Sequence, residues 1–170
     1  MKVTVVIPNR MNETPEPTLR TLAGQSFHDW IAVVSFDQDR GAPWARNRGL
    51  ELVRSEYVLF SDNDNEWHRD GLVTLVNELD RRPDVSFVYG HHLRDGKLYA
   101  AEPYDADRLC SHDGHNLRIA TSSALIRTRD VLPFDETLQR FQDWDLWINM
   151  AQFGFHGKLI NTVLYETNTH

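Results

Sequence analysis

The chain has 170 residues, enough for one domain whose core needs no cross-links. Its formal net charge of −7 offers no basic surface to nucleic acid. Its one cysteine, Cys110, excludes an intrachain disulfide and a multi-cysteine zinc site.

The N-terminus, MKVTVVIPNR, carries an apolar run only from Val3 to Ile7. That is too short for a signal core or a membrane span, so a cytoplasmic protein is expected. The run is β-branched and reads as a buried parallel strand stopped by Pro8. TPEPTLRTLAGQ then reads as a helix, with Thr14 as its cap, Pro15 in its first turn, and Leu19, Leu22 and Ala23 on one face. Trp30–Phe36 reads as a second buried strand, and APWARNRGLELVRS as a helix with Ala45, Leu50, Leu52 and Val53 inward. Glu56–Ser61 is a third strand. DGLVTLVNELDRR is the clearest helix, since Leu72, Leu75, Val76 and Leu79 recur at helical spacing. Val85–Gly90 is a fourth strand. The alternation predicts an α/β fold, with a mainly parallel sheet covered by helices on both faces.

From Gly90 to about Asn116 the periodicity fades, apart from an Asp-Gly hairpin signal in RDGK. ATSSALIRTRDVL resumes with a strand. A helix is expected from about Asp143 to Phe153, ended by Gly154, and one or two strands close the chain.

Ligands of such sheets gather at the carboxyl ends of the strands. FSDNDNEW (60–67) lies at one such end. Asp62 and Asp64 repel unless a cation or proton intervenes, and a hard Mg2+ or Mn2+ ion takes one or two carboxylates. A solvated acidic turn is the plain alternative. A calcium EF-hand loop is excluded, because the required Gly and Glu positions hold Trp67 and Val73. In FQDWDLW (141–147), Asp143 and Asp145 suit a helix N-cap, yet the flanking aromatic rings also suit a sugar site with a general base. In WARNRG (44–49), Arg46 and Asn47 stand in a helix's first turn, where phosphate is bound, though a surface helix explains them equally. His91, His92, His112 and His115 read as part of a polar loop rather than a metal site, and His170 as a frayed terminus.

Taken in order, VTVVIPNRMNE, WARNRGLELVRSEYVLFSDNDNEW, the stretch from TSSALIRTRD to FQDWDLWINM, and VLYETNTH resemble the family 2 glycosyltransferases. The match runs along nearly the whole chain. It implies a GT-A fold in one domain, with residues 1–65 as a nucleotide-binding half and 66–170 as an acceptor and catalytic half. It implies metal-dependent, inverting transfer of a sugar from a nucleotide-diphospho-sugar, a UDP-sugar foremost, to a hydroxyl. The acceptor, whether glycan, lipid-linked sugar or protein, stays open.

The residue roles follow from the resemblance. Asp143 would be the general base. Asp64 would bind Mn2+ or Mg2+, with Asp62 beside it and His170 as a further ligand. Pro8, Asn9, Asp37, Asp39, Arg46, Asn47, Asp62 and Asn63 would hold the donor. Trp144 and Gln142 would face the acceptor sugar. Two departures stand out. Only DQDRGAPWAR (37–46) joins the second strand to the Ala-Arg-Asn helix, where the family usually has a further helix and strand. Gln142 stands where the family usually has Glu. A nucleotidyltransferase is a rival reading, weakened because IPNRMNE has no Gly for a phosphate loop. A degenerate, non-catalytic binding module is the other.

Overall fold

The computed structural model describes residues 1–111 and 116–168. One eight-stranded sheet runs in the order β2-β1-β3-β7-β5-β8-β4, and β6 pairs with β5. The strands are β1 (Val3–Asn9), β2 (Trp30–Phe36), β3 (Tyr57–Phe60), β4 (Glu66–Trp67), β5 (Phe87–Arg94), β6 (Lys97–Tyr99), β7 (Ala124–Arg127) and β8 (Gly157–Thr167). The helices are α1 (Glu16–Ala23), α2 (Ala42–Leu50), α3 (Gly71–Arg81), α4 (Ala106–Cys110) and α5 (Gln142–Gln152).

Alternation along each strand sends side chains to two separate cores. On one face Val3, Val5 and Ile7 of β1 meet Leu22 of α1 and the α3 stripe Leu72, Leu75, Val76 and Leu79. On the other, Val6, Val58 and Phe60 meet Leu146, Trp147 and Met150 of α5. Helices thus cover both faces, as expected from the sequence.

The sheet is mixed rather than mainly parallel. β2, β1 and β3 are parallel, and so are β5 and β8. β7 inserts antiparallel between β3 and β5, and β4 and β6 are antiparallel to β8 and β5. Hydrophobic periodicity identifies strands but carries no information on their direction.

Several boundaries also differ. β1 runs through Pro8 to Asn9. Its ladder with β3 involves Val3 to Val6, so the absent N–H of Pro8 falls beyond that ladder. β2 is an edge strand with Ile31 and Phe36 exposed, not a fully buried one. The chain turns from β2 straight into α2, and no described strand lies beyond it. β5 continues to Arg94, so His91 and His92 lie in a strand and not in a loop. The RDGK hairpin forms, with Asp95 and Gly96 both at positive φ. Thr14 accepts from the Glu16 N–H at 3.3 Å, although α1 itself begins at Glu16.

α2 ends at Leu50, short of its expected length, and leaves Leu52 exposed. Its weak apolar pattern has a cause: Arg46 and Asn47 are buried alongside Ala45 and Gly49. A Cβ on Gly49 would run into Val6 Cγ1 of β1. Gly49→Ala is therefore expected to lower stability by about 1–3 kcal/mol through overpacking. Urea unfolding checks this, and an unchanged midpoint would show that α2 lifts off β1 freely.

Candidate functional site

The site forms where β1, β2 and β3 end. β3 stops at Phe60, and Ser61–Asn65 turns over the sheet edge. This turn is tied down from below. The buried Thr18 hydroxyl of α1 reaches the carbonyls of Asp62 and Asn65 at 2.8 and 3.0 Å. Trp67 Nε1 donates to Ser61 Oγ at 2.9 Å, and the Asp62 N–H donates to Ser122 Oγ at 3.2 Å. The backbone bearing the two aspartates is thus held before any ligand arrives.

Each aspartate then has its own partner. Asp62 Oδ1 accepts from Arg46 Nη2 at 2.9 Å. Arg46 is nearly buried, with 7% of its side-chain surface exposed, and its guanidinium lies over the Phe134 ring. Its other amine, Nη1, donates to Gln142 Oε1 at 3.0 Å. A single buried cation therefore joins the aspartate turn to the first turn of α5. Asp64 Oδ2 accepts from Thr167 Oγ1 at 3.2 Å.

Two cavities meet along this turn and share Asp62 and Asp64 in their walls. The first, of about 600 Å³, is lined by Pro8, Asn9, Asp37, Asp39 and Asn63, together with Glu13 and Arg40. Asn63 Nδ2 donates to Asn9 Oδ1 and Glu13 Oε2, each at 2.8 Å. Asp37 is buried, and its side chain accepts from the Asp39 N–H at 3.2 Å. Gln38 and Asp39 both take positive φ, which folds the strand end tightly back toward α2.

The second cavity, of about 350 Å³, holds Asp143 with His92, Tyr99, Tyr165, Arg94 and Arg118. Asp143 Oδ2 accepts from the Thr121 N–H at 2.9 Å. That bond fixes the orientation of the carboxylate. Asp145, two residues on, does not line this cavity; burial first and Asp135 second raise its pKa. Rings stack along the floor: His92 lies 5.1 Å from Tyr165 and 5.2 Å from Tyr99. Burial, and then Arg94, lowers the His92 pKa. Burial pushes the Tyr165 hydroxyl well up, with Asp62 and Asp143 adding to the effect.

Some expected site residues lie elsewhere. Asn47 is outside the donor cavity: its amide donates to the Phe134 carbonyl and Glu136, and accepts from the Phe134 N–H. It pins the 134–136 loop. Arg46 stands behind the cavity wall and acts on it through Asp62. Trp144 packs against Phe141 and the α5 core, and Gln142 holds Arg46, so neither lines the second cavity. Tyr99 is the exposed ring there. Asp143 and Asp145 lie in the first turn of α5, whose cap is Phe141, so neither is the N-cap.

His91 is structural. Its Nδ1 accepts from the Ala101 N–H at 3.1 Å, and its Nε2 faces Asn161 Oδ1 at 3.0 Å. His112, His115 and His170 lie outside the described residues. Sequence reading missed Thr18, Thr121, Ser122, Tyr165 and Thr167. They act through backbone contacts and cross-strand register, and no motif marks them.

Among the described residues no cluster of three or more His, Cys, Asp or Glu side chains forms a ready metal site, and no helix is long and apolar enough to cross a membrane.

Comparisons with known proteins bear on the family and the fold. The chain is 32% identical over 127 residues to the amylovoran biosynthesis glycosyltransferase AmsB of Erwinia amylovora, covering 65% of this chain and 41% of that protein. It is 25% identical over 146 residues to the putative teichuronic acid biosynthesis glycosyltransferase TuaG of Bacillus subtilis (strain 168), covering 84% and 58%. It thus spans about half the length of these relatives. Among solved structures, S. aureus TarS 1-349 in complex with UDP-GlcNAc superposes with a TM-score of 0.77 at 16% identity, over 100% of this chain and 59% of that one. The likeness establishes the GT-A fold. The description "Glycosyl transferase family 2" matches residues 5–145, and the chain belongs to that family.

Proposed function

We propose that the protein transfers a sugar from a nucleotide-diphospho-sugar to an acceptor hydroxyl with inversion, and that Asp143 is the general base. The shared wall carries this reading: Asp62 and Asp64 face both cavities, whereas Asp143 faces only the second. A donor bound in the first cavity would present its anomeric carbon across the aspartate turn to an acceptor in the second. Residues 1–65 supply most of the first cavity and residues 66–170 most of the second. A UDP-sugar is the favoured donor, since the TarS neighbour was solved with UDP-GlcNAc.

In this mechanism Asp143 takes the acceptor hydroxyl's proton as that oxygen attacks the anomeric carbon. The C–O bond to the diphosphate breaks on the opposite side, and the nucleoside diphosphate leaves. The Thr121 N–H fixes one carboxylate oxygen and leaves Oδ1 for the acceptor. Pro8, Asn9, Asp37, Asp39 and Asn63 hold the nucleoside. Two neighbouring carboxylates on one fixed turn are a donor set that suits a hard divalent ion completed by diphosphate oxygens. Asp64 would hold Mn2+ or Mg2+, with Asp62 beside it and His170 as the further ligand implied by the family resemblance. When bound, the ion would neutralise the departing diphosphate's charge. Arg46 and Gln142 keep the metal-side and base-side elements in register.

The test is thermal unfolding with UDP, with and without Mn2+. At a ligand concentration near 100 Kd, the gain is about 2.7 kcal/mol, or a rise of roughly 5–10 °C for a domain this size. The rise should require the metal. No shift with UDP, either with or without Mn2+, would overturn the donor assignment.

A further inference from the structure

We propose that the acceptor carries an anionic substituent, a carboxylate or a phosphate, which Arg94 and Arg118 hold in the second cavity. This deepens the transferase reading, on which it rests, by naming the chemistry of the acceptor.

The strand register builds the site. His92 pairs with Tyr99 of β6 and Tyr165 of β8, and Arg94 pairs with Lys97 and Thr167. Side chains two apart share a face, so the stacked rings and Arg94 stand in one row on the cavity side. Thr167, opposite Arg94, is the residue that holds Asp64. Arg118 comes from another wall, on a turn where Leu117 and Arg118 both take positive φ.

The cavity is therefore bipolar. Asp64 and Asp143, with Asp62 already paired to Arg46, supply its negative charge and two guanidiniums its positive charge, in a chain whose net charge is −7. Three other arginines show what a matched guanidinium looks like here. Arg46, Arg82 and Arg108 sit on carboxylates at 2.9, 2.7 and 3.1 Å. Among the described residues, Arg94 and Arg118 form no ion pair. Arg94 instead lies over the exposed Tyr99 ring at 5.8 Å.

A sugar bound in this cavity beside Tyr99 would place a ring substituent near Arg94. A neutral sugar would offer neither guanidinium a charge. A carboxylate or phosphate would take charge-assisted, two-point hydrogen bonds from them.

The experiment measures binding of three probes to the full chain by titration calorimetry: methyl β-glucoside, methyl β-glucuronide and glucose 1-phosphate. At least one anionic probe is expected to bind tenfold or more tightly than the glucoside. Preference for the glucuronide identifies a carboxylate, and preference for the phosphate a phosphoryl group. Arg94→Ala/Arg118→Ala should erase the preference while UDP binding with Mn2+ is unchanged. Arg94→Lys/Arg118→Lys should keep only part of it, because lysine holds charge without the planar fork. Equal binding of all three probes overturns the proposal, and so does an anion preference that survives the alanine pair. If the alanine pair weakens UDP binding instead, the arginines serve the donor diphosphate and the proposal also fails. The two readings separate cleanly. UDP binding without anion preference defeats this proposal alone, and anion preference without UDP binding defeats the transferase reading alone.

Discussion

Asp143→Asn will abolish sugar transfer, by about 10³-fold or more in kcat, while UDP still binds in the presence of Mn2+. Among the described residues, the carboxylate is the only acidic group of the second cavity that lies outside the aspartate turn. The amide keeps the shape and can still accept the Thr121 N–H, so the first turn of α5 stays in place. What it loses is the capacity to take a proton. Transfer assays with UDP-sugars, run beside UDP thermal shifts, separate the two effects. Normal turnover in the variant would remove Asp143 from the mechanism. Loss of UDP binding would move it to the donor site.

Asp64→Asn will remove the metal-dependent part of UDP binding and leave the ligand-free protein as stable as before. Arg46 already neutralises Asp62, so Asp64 is the stronger candidate for a cation. Removing its charge should weaken the Mn2+-dependent binding of UDP by roughly 100-fold, the scale of losses at altered metal sites. The neutral side chain can still bond Thr167, so the tie between the aspartate turn and β8 survives. Titration of UDP at fixed Mn2+ measures the effect. Unchanged affinity would show that the ion, if one binds, rests on other groups.

The two variants together probe the division of the site. Asp143 should act on turnover alone, and Asp64 on donor binding first. Gln142, where the family usually has Glu, ties α5 to Arg46. Its carbonyl accepts from Arg46, a role that needs an acceptor oxygen and not a negative charge.

The sequence alone determined the helices and strands that hold the cores apart. The α3 stripe repeats at helical spacing, and all four of its apolar residues are buried. It also determined where to look for chemistry, because the aspartate turn follows a strand and Asp143 opens a helix. Asp62, Asp64 and Asp143 line one pair of adjoining cavities.

Only the tertiary structure decided which polar residues face the cavities and which are internal ties. Arg46 and Asn47 sit side by side in one motif, yet one reaches Asp62 and the other pins the 134–136 loop. Trp144 looked like a sugar platform, but α5 turns it against Phe141, and Tyr99 from a distant hairpin faces the cavity. The direction of β7, and with it the mixed sheet, was likewise invisible in the pattern. The physical reason is the same in each case. Periodicity reports which side of an element is buried, a local property, whereas strand direction, cross-strand register and side-chain partners are set by residues tens of positions away.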